Sequence, residues 1–315
     1  MTAVLARYRG KRHAVQVAAL ALLVLIPATG VLRIDFATAS LLLLGRKVGL
    51  SDFAVVCGLA LLVASAPLLT YNTIGTVWCG WACPQNTLAE WADRLTHRLL
   101  GRRASVRVED AGLQVAPSKN RLANWALLVA AVLAASLLLG LIPLFYFSPP
   151  GDVWALLTFR ADPQFEGFML RLYAFFALAV VVDVAVMRFF WCDYLCLYRF
   201  GQLLFRNEGL QVHYDAARAA ACEKCRLCAT VCVTRIEPTR IGRADRCIDC
   251  AECIDACNTL QGRRGEPGLL RFDSGVPPGT RPGAAALILR WVSRMGIPGL
   301  VTAAGLLLTA WGLFR

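Results

Sequence analysis

Five separate stretches of mostly apolar residues, at 14–32, 52–71, 124–147, 168–190 and 295–313, constrain this fold more than any other feature. A bilayer core is crossed by roughly 20 apolar residues in a helix, and every backbone polar group there must be bonded internally. The stretches therefore predict a mainly α-helical, polytopic membrane protein with about five transmembrane helices. Composition agrees: 57% of residues are hydrophobic, only 17% are charged and the mean hydropathy is +0.56. The first stretch follows Arg7, Arg9, Lys11 and Arg12, as a signal peptide would. It is too long for one and lacks a small-residue cleavage site, so it reads as an anchor. Gly299, Ala303, Ala304 and Gly305 give the fifth stretch the small-residue character that allows close helix packing.

Lys and Arg in the loops set the expected orientation. The N-terminus carries the four basic residues just named, and the segment between stretches two and three carries Arg94, Arg98, Arg102, Arg103, Arg107, Lys119 and Arg121. The other side has Arg33, Arg46, Lys47 and Arg160. The N-terminus and the long segment between stretches four and five are thus expected in the cytoplasm, and the C-terminus on the opposite, periplasmic side. The organisation expected is a four-helix region over 1–190, a cysteine-rich cytoplasmic segment over 191–280, and an interfacial plus a final spanning helix over 281–315. The formal net charge of +12 is the excess expected on the inner side of a membrane protein. It lacks the basic soluble face with aromatic support that nucleic-acid binding needs.

Two stretches read as interfacial. In 85–100, Leu88, Trp91, Leu95 and Leu99 fall at helical spacing opposite Glu90, Asp93, Arg94 and Arg98, and 284–294 resembles it; packing on neighbours is the alternative for both.

Eight of the thirteen cysteines form a doubled run. Cys222, Cys225, Cys228 and Cys232 repeat in spacing as Cys247, Cys250, Cys253 and Cys257. Three thiolates at this spacing wrap one [4Fe–4S] cube, and the fourth of each run ligates the other cube. The expected sets are Cys222, Cys225, Cys228 and Cys257 for cluster one, and Cys247, Cys250, Cys253 and Cys232 for cluster two. This is a two-cluster, ferredoxin-like segment. Structural zinc also uses four cysteines, but normally as separated pairs; a reducing cytoplasm disfavours disulfides. Val233 and Asn258 follow the last cysteines where the simple pattern has proline, which alters hydrogen bonding near the sulfurs.

A second cysteine motif occurs twice: Cys79 and Cys83 within WCGWACPQ, and Cys192 and Cys196 within WCDYLCLY. On a helix this spacing places both sulfurs on one face. Such thiols bind copper(I), hold a further metal centre, or cycle between dithiol and disulfide; the alternative is four buried cysteines packing as small apolar residues. Cys57 reads as packing. His13, His97 and His213 stand away from the middle of any stretch, so no membrane haem is expected, and no phosphate or dinucleotide loop is present.

The segments VWCGWACPQNTLAEW, FFWCDYLCLYRFGQLLF and CIDCAECIDACNTLQGRRGEPGLLRF resemble the membrane polyferredoxins of the NapH, NosR and CcoG (RdxA) type, closest to CcoG, over about residues 32–272. The resemblance implies a bacterial inner-membrane electron-transfer protein carrying the eight cluster cysteines and both CxxxC pairs. For CcoG-like members it implies an accessory role toward cbb-type cytochrome oxidase, by reduction of copper(II) with electron donors and copper-transport proteins as partners. For NapH-like members it implies transfer from quinol to a periplasmic reductase, for which Arg33 and Asp35 offer a headgroup contact or an interface anchor. A membrane metal sensor or scaffold is the non-redox alternative. Leu197 and Val233 stand where the family has proline, and the sequence ends at Arg315, just after the fifth stretch, where CcoG proteins continue into a periplasmic domain. That last departure bears on the oxidase role and leaves electron transfer untouched.

Overall fold

The computed structural model describes residues 8–35, 38–101, 115–160, 163–196, 198–199, 210–222, 225–242, 245–273 and 284–315. Expectations on Arg7, Arg102, Arg103, Arg107, Leu197 and residues 200–205 lie outside them. The chain is mainly helical, at about 70%. Among the described residues five helices are long and apolar enough to cross a membrane: Arg9–Ala28, Phe53–Ile74, Leu122–Phe147, Gly167–Leu195 and Met295–Phe314. This is a multi-pass membrane protein.

The chain divides into two compact units, one of Met1–Ala18, Gly58–Cys83 and Cys196–Leu307, the other of Ala19–Cys57, Pro84–Leu195 and Leu308–Arg315. In chain order the helices are α1 (Arg9–Ala28), α2 (Phe53–Ile74), α3 (Val77–Trp81), α4 (Pro84–Leu100), α5 (Leu122–Gly140), α6 (Ile142–Phe147), α7 (Pro150–Leu157), α8 (Pro163–Val182), α9 (Leu227–Val231), α10 (Glu252–Gly262) and α11 (Ala284–Phe314). Beyond α8 the fourth span continues through π-helical turns at Asp183–Met187 and Trp191–Leu195.

In the second unit, α4, α5 and the end of the fourth span share a core of Ala92, Leu100, Leu128, Val132 and Val184. Leu88, Trp91, Leu95 and Leu99 pack on it, so the apolar face of α4 is spent on neighbouring helices. Glu90 and Asp93, expected on a solvated face, are buried too. This burial fits the packing alternative for 85–100: Arg188, buried at the end of the fourth span, reaches Thr96 Oγ1 at 3.2 Å, while His97 and Arg98 near the end of α4 stay exposed. Gly140 lets α5 approach α8 so closely that a Cβ there would stand 2.8 Å from Ala177 Cα. Residues 32–49 form a small antiparallel sheet, β1 (Leu32–Asp35), β2 (Ser40–Leu43) and β3 (Arg46–Gly49), with Leu32 opposite Leu43 and Leu43 opposite Arg46.

In the first unit, α11 crosses α2 at two glycines: a Cβ on Gly305 would come 2.9 Å from the Gly58 carbonyl oxygen. Ser65 and Thr302 hydroxyls meet at 2.8 Å along the same seam. Gly296 (φ 47°, ψ −144°) and Pro298 break α11, dividing 284–295 from the spanning part. The cysteine-rich segment packs α9 on α10 and flanks α10 with an antiparallel pair, β4 (Gln211–Tyr214) and β5 (Leu270–Asp273). Its core is Val212, Ala251, Cys253, Ile254 and Leu270.

Candidate iron–sulfur and thiol site

The two cysteine runs fold alike. Each turns through a left-handed residue directly after its second cysteine, Arg226 (φ 55°) after Cys225 and Ala251 (φ 64°) after Cys250, and each then enters a helix. The third cysteine, Cys228 or Cys253, lies one position into that helix. A left-handed residue at this place bends the chain sharply between the second and third cysteines of each run.

Past that point the runs diverge. α9 ends at Val231, and Cys232 is extended (φ −61°, ψ 121°). α10 runs on through Cys257 and Asn258 to Gly262. Proline at 258 would remove a helical N–H, so asparagine suits a helix that does not stop. Asn258 also packs against Gly268, where no Cβ would fit.

Cys228 lies within electrostatic reach of Cys257, Cys225 and Cys222, and burial foremost pushes its thiol up. Cys253 lies within reach of Cys250, Cys232 and Cys228, and burial raises its thiol as well. Cys247, raised most of all by burial, neighbours Cys250 and Cys253. Cys257, last of run two, thus lies among the first three cysteines of run one, and Cys253 of run two has Cys232 and Cys228 of run one as neighbours. Cys222, Cys225, Cys228 and Cys257 line one cavity of about 520 Å³, beside Tyr214 and Gln261. Among the described residues no three His, Cys, Asp or Glu side chains converge closely enough for a single ion. Cys225 of the first run is exposed, whereas Cys253 of the second and Cys232, the last of the first, are buried.

Cys79 and Cys83 do not share one continuous helix. α3 stops at Trp81 and Pro84 opens α4; the Cys83 N–H turns back to the Trp78 carbonyl at 2.9 Å. The residue before a proline is steered out of the helical region, which puts the break at Cys83. Cys192 sits in the π-helical turn Trp191–Leu195 of the second unit, and Cys196 follows its end. Cys196, Cys79 and Asp249 all lie within reach of Tyr198, whose hydroxyl donates to the Gly75 carbonyl at 3.1 Å. Tyr198 is pushed far above a normal phenol, first by burial and then by these neighbours.

The joint between α3 and the second run went unnoticed in the sequence. Gly80 lies flat on the loop at Ile248–Cys250: a Cβ there would clash with the Ile248 carbonyl oxygen and stand 3.2 Å from Cys250 Cα. Trp81 Nε1 donates to the Asp249 carbonyl at 2.9 Å, and the Thr76 hydroxyl donates to its carboxylate. Asp249 is 2% exposed, and burial raises its carboxyl against the lowering from Thr76. Arg12, fully buried, donates to the Gly80 carbonyl at 2.8 Å and pairs with Glu252 at 3.0 Å. The Asp255 carboxylate accepts the Tyr8 and Arg9 N–H groups at 3.1 and 3.0 Å, capping α1 from α10. A glycine between two cysteines and acids inside a cysteine run were the available signals.

Spanning helices joined to two cysteine runs of iron–sulfur spacing define the class, a membrane-bound iron–sulfur protein. Comparisons specify it further. Residues 217–275 match the 4Fe-4S dicluster domain family, and residues 57–103, which contain Cys79 and Cys83, match a 4Fe-4S binding domain family. Protein RdxA of Cereibacter sphaeroides is 30% identical over 256 residues, 76% of this chain and 52% of the relative. Nitrogen fixation protein FixG of Rhizobium meliloti is 29% identical over 245 residues, 70% of this chain and 44% of the relative. No solved structure shows a significant match. The chain belongs to the membrane polyferredoxin family of the RdxA/FixG type. It spans about half the length of these curated relatives.

Proposed function

We propose that the chain holds two [4Fe–4S] clusters, the first on Cys222, Cys225, Cys228 and Cys257, the second on Cys247, Cys250, Cys253 and Cys232. The observation that supports this most is the cavity that Cys257, of the second run, lines together with Cys222, Cys225 and Cys228 of the first. Four thiols ringing a cavity of about 520 Å³ suit a polynuclear cluster better than a single ion drawn to one point. Burial raises the Cys228 and Cys247 thiols, so holding a cluster there would displace protons from them. Bound clusters would supply single electrons. The loops' basic residues support a cytoplasmic placement for this segment and the N-terminus, with the C-terminus periplasmic.

The task we assign is copper reduction at Cys79, Cys83, Cys192 and Cys196, in an accessory role toward a cytochrome oxidase. Copper(II), the substrate, would take one electron supplied through the reduced clusters and become copper(I), which these soft thiolates would hold until a stronger acceptor takes it. Arg33 donates to the Pro27 carbonyl at 2.7 Å, at the end of α1, and Asp35 accepts the Thr38 hydroxyl at 2.7 Å, which supports the anchor reading of this pair over a quinone contact. Anaerobic cupric reduction by dithionite-reduced protein in membranes tests the assignment. Cys79→Ser should lower the rate by about a hundredfold, the order expected when a group acting on the substrate is lost, with bound iron unchanged. Wild-type rates in that variant would sink the copper reading.

A further inference from the structure

Tyr8, Arg9, Arg12, Thr76, Gly80 and Trp81 all direct their contacts to residues 248–255, the turn and first helical residues of the second run. Asp249 is the centre of that joint. One carboxylate oxygen receives the Thr76 hydroxyl at the start of α3; the other lies 3.5 Å from the Cys247 sulfur. A single buried side chain thus touches a candidate cluster ligand and the helix that carries Cys79. Its main-chain oxygen is held by Trp81, two residues along from Cys79. At Gly80 the contact is backbone on backbone, with no side chain to absorb a shift. The loop cannot move relative to α3 without opening a buried seam, and Arg12 and Asp255 fasten its two flanks. Close-packed interiors of this kind hold discrete arrangements and do not deform smoothly.

We propose that Thr76, Gly80, Trp81 and Asp249 are positioning residues that couple the second cysteine run to Cys79 and Cys83, so that occupation of the second site sets the geometry of that pair and occupation of the first does not. The inference rests on the assignment of the eight cysteines to two clusters. Coupling of this kind is reciprocal: a change at α3 must alter the second site by the same free energy with which that site acts on α3.

The experiment uses the full chain, purified anaerobically in detergent, and reads the iodoacetamide alkylation rate of Cys79 and Cys83 by peptide mass spectrometry together with the electron paramagnetic resonance spectrum. Cys250→Ala should raise the alkylation rate by about tenfold, within the usual range of coupling, while Cys225→Ala changes it less than about twofold. Thr76→Val, with bound iron at the wild-type level, should raise the rate about threefold and move the resonance of the second cluster only; Thr76→Ser, which keeps the hydroxyl, should restore both. Equal effects of Cys250→Ala and Cys225→Ala would overturn the inference. So would Thr76→Val and Thr76→Ser behaving alike, and this pair decides the question if the cysteine variants fail to fold. Wild-type protein without iron–sulfur absorption would sink the cluster assignment itself. Coupling without cupric reduction would sink only the copper reading.

Discussion

The two cysteine runs share a spacing and a turn but have been put to different structural uses. At matched positions, run one has Ala229, Thr230 and Val231 between its last two cysteines, and run two has Ile254, Asp255 and Ala256. Ile254 is 2% exposed in the core and Asp255 caps α1, whereas the Thr230 hydroxyl turns back to its own helix at Arg226. Run two is built into the membrane-anchored framework; run one presents Cys225 to solvent. Repetition of a ligand spacing therefore fixes the local wrap of each loop and leaves its surroundings free to differ. A cluster's surroundings, through burial and hydrogen bonds to sulfur, are what set its potential. Two sites from one motif can serve different ends.

The largest expected effect tests whether the runs interlock. If fourth ligands are exchanged, Cys257→Ala should delete the same resonance as Cys222→Ala, although the two residues belong to different runs. Cys232→Ala should likewise match Cys250→Ala. Each variant should lose about half of the bound iron, as one of two equivalent cubes is lost. Pairing by run instead, with Cys257→Ala resembling Cys250→Ala, would break the comparison at its root.

A smaller effect separates the surroundings of the runs. Asp255→Ala removes the acceptor for two N–H groups at the start of α1, and loss of such a cap costs about 1 kcal/mol. Thr230→Ala removes a hydroxyl bonded within its own exposed turn and should cost a few tenths of a kcal/mol at most, roughly the scale of surface changes. The midpoint of thermal bleaching of the visible absorbance, measured on the full chain, compares them. Equal losses would mean that the second run is no more tightly anchored than the first.

Much of this was legible in advance because its signals are local. Twenty-residue apolar runs, a doubled CxxCxxC spacing and a proline after Cys83 each act over a few residues, and the helices, the cysteine loops and the break at α4 follow from them. The joint was not legible, because its partners lie far apart in sequence: Arg12 with Glu252, Thr76 with Asp249, Tyr8 with Asp255. Burial of Glu90 and Asp93 escaped for the same reason, since helical spacing shows which residues share a face but not what covers it. The β1–β3 sheet was missed because Ala39 (φ 44°) and Leu44 (φ 51°) take the left-handed region without being glycine or asparagine, and Gly45 (φ 79°) alone marks the turn between β2 and β3.

The smallest effect lies in the turn that the runs share, and there the two should part in sign. A non-glycine residue in the left-handed region costs about 1–2 kcal/mol. Glycine relieves that cost but gives back roughly 0.4–1 kcal/mol through the greater freedom of the unfolded chain. Arg226 is exposed, so Arg226→Gly loses little packing and should raise the bleaching midpoint, by the equivalent of about 0.5 kcal/mol. Ala251 is fully buried, and Ala251→Gly also gives up a core methyl worth about 0.8 kcal/mol. Its net effect should be a slight loss. Opposite shifts would show that the same backbone turn is an isolated loop in run one and part of a packed core in run two. Two gains of equal size would mean that the methyl of Ala251 contributes nothing to its core, and the contrast between the runs would then rest on the side chains beyond the turn.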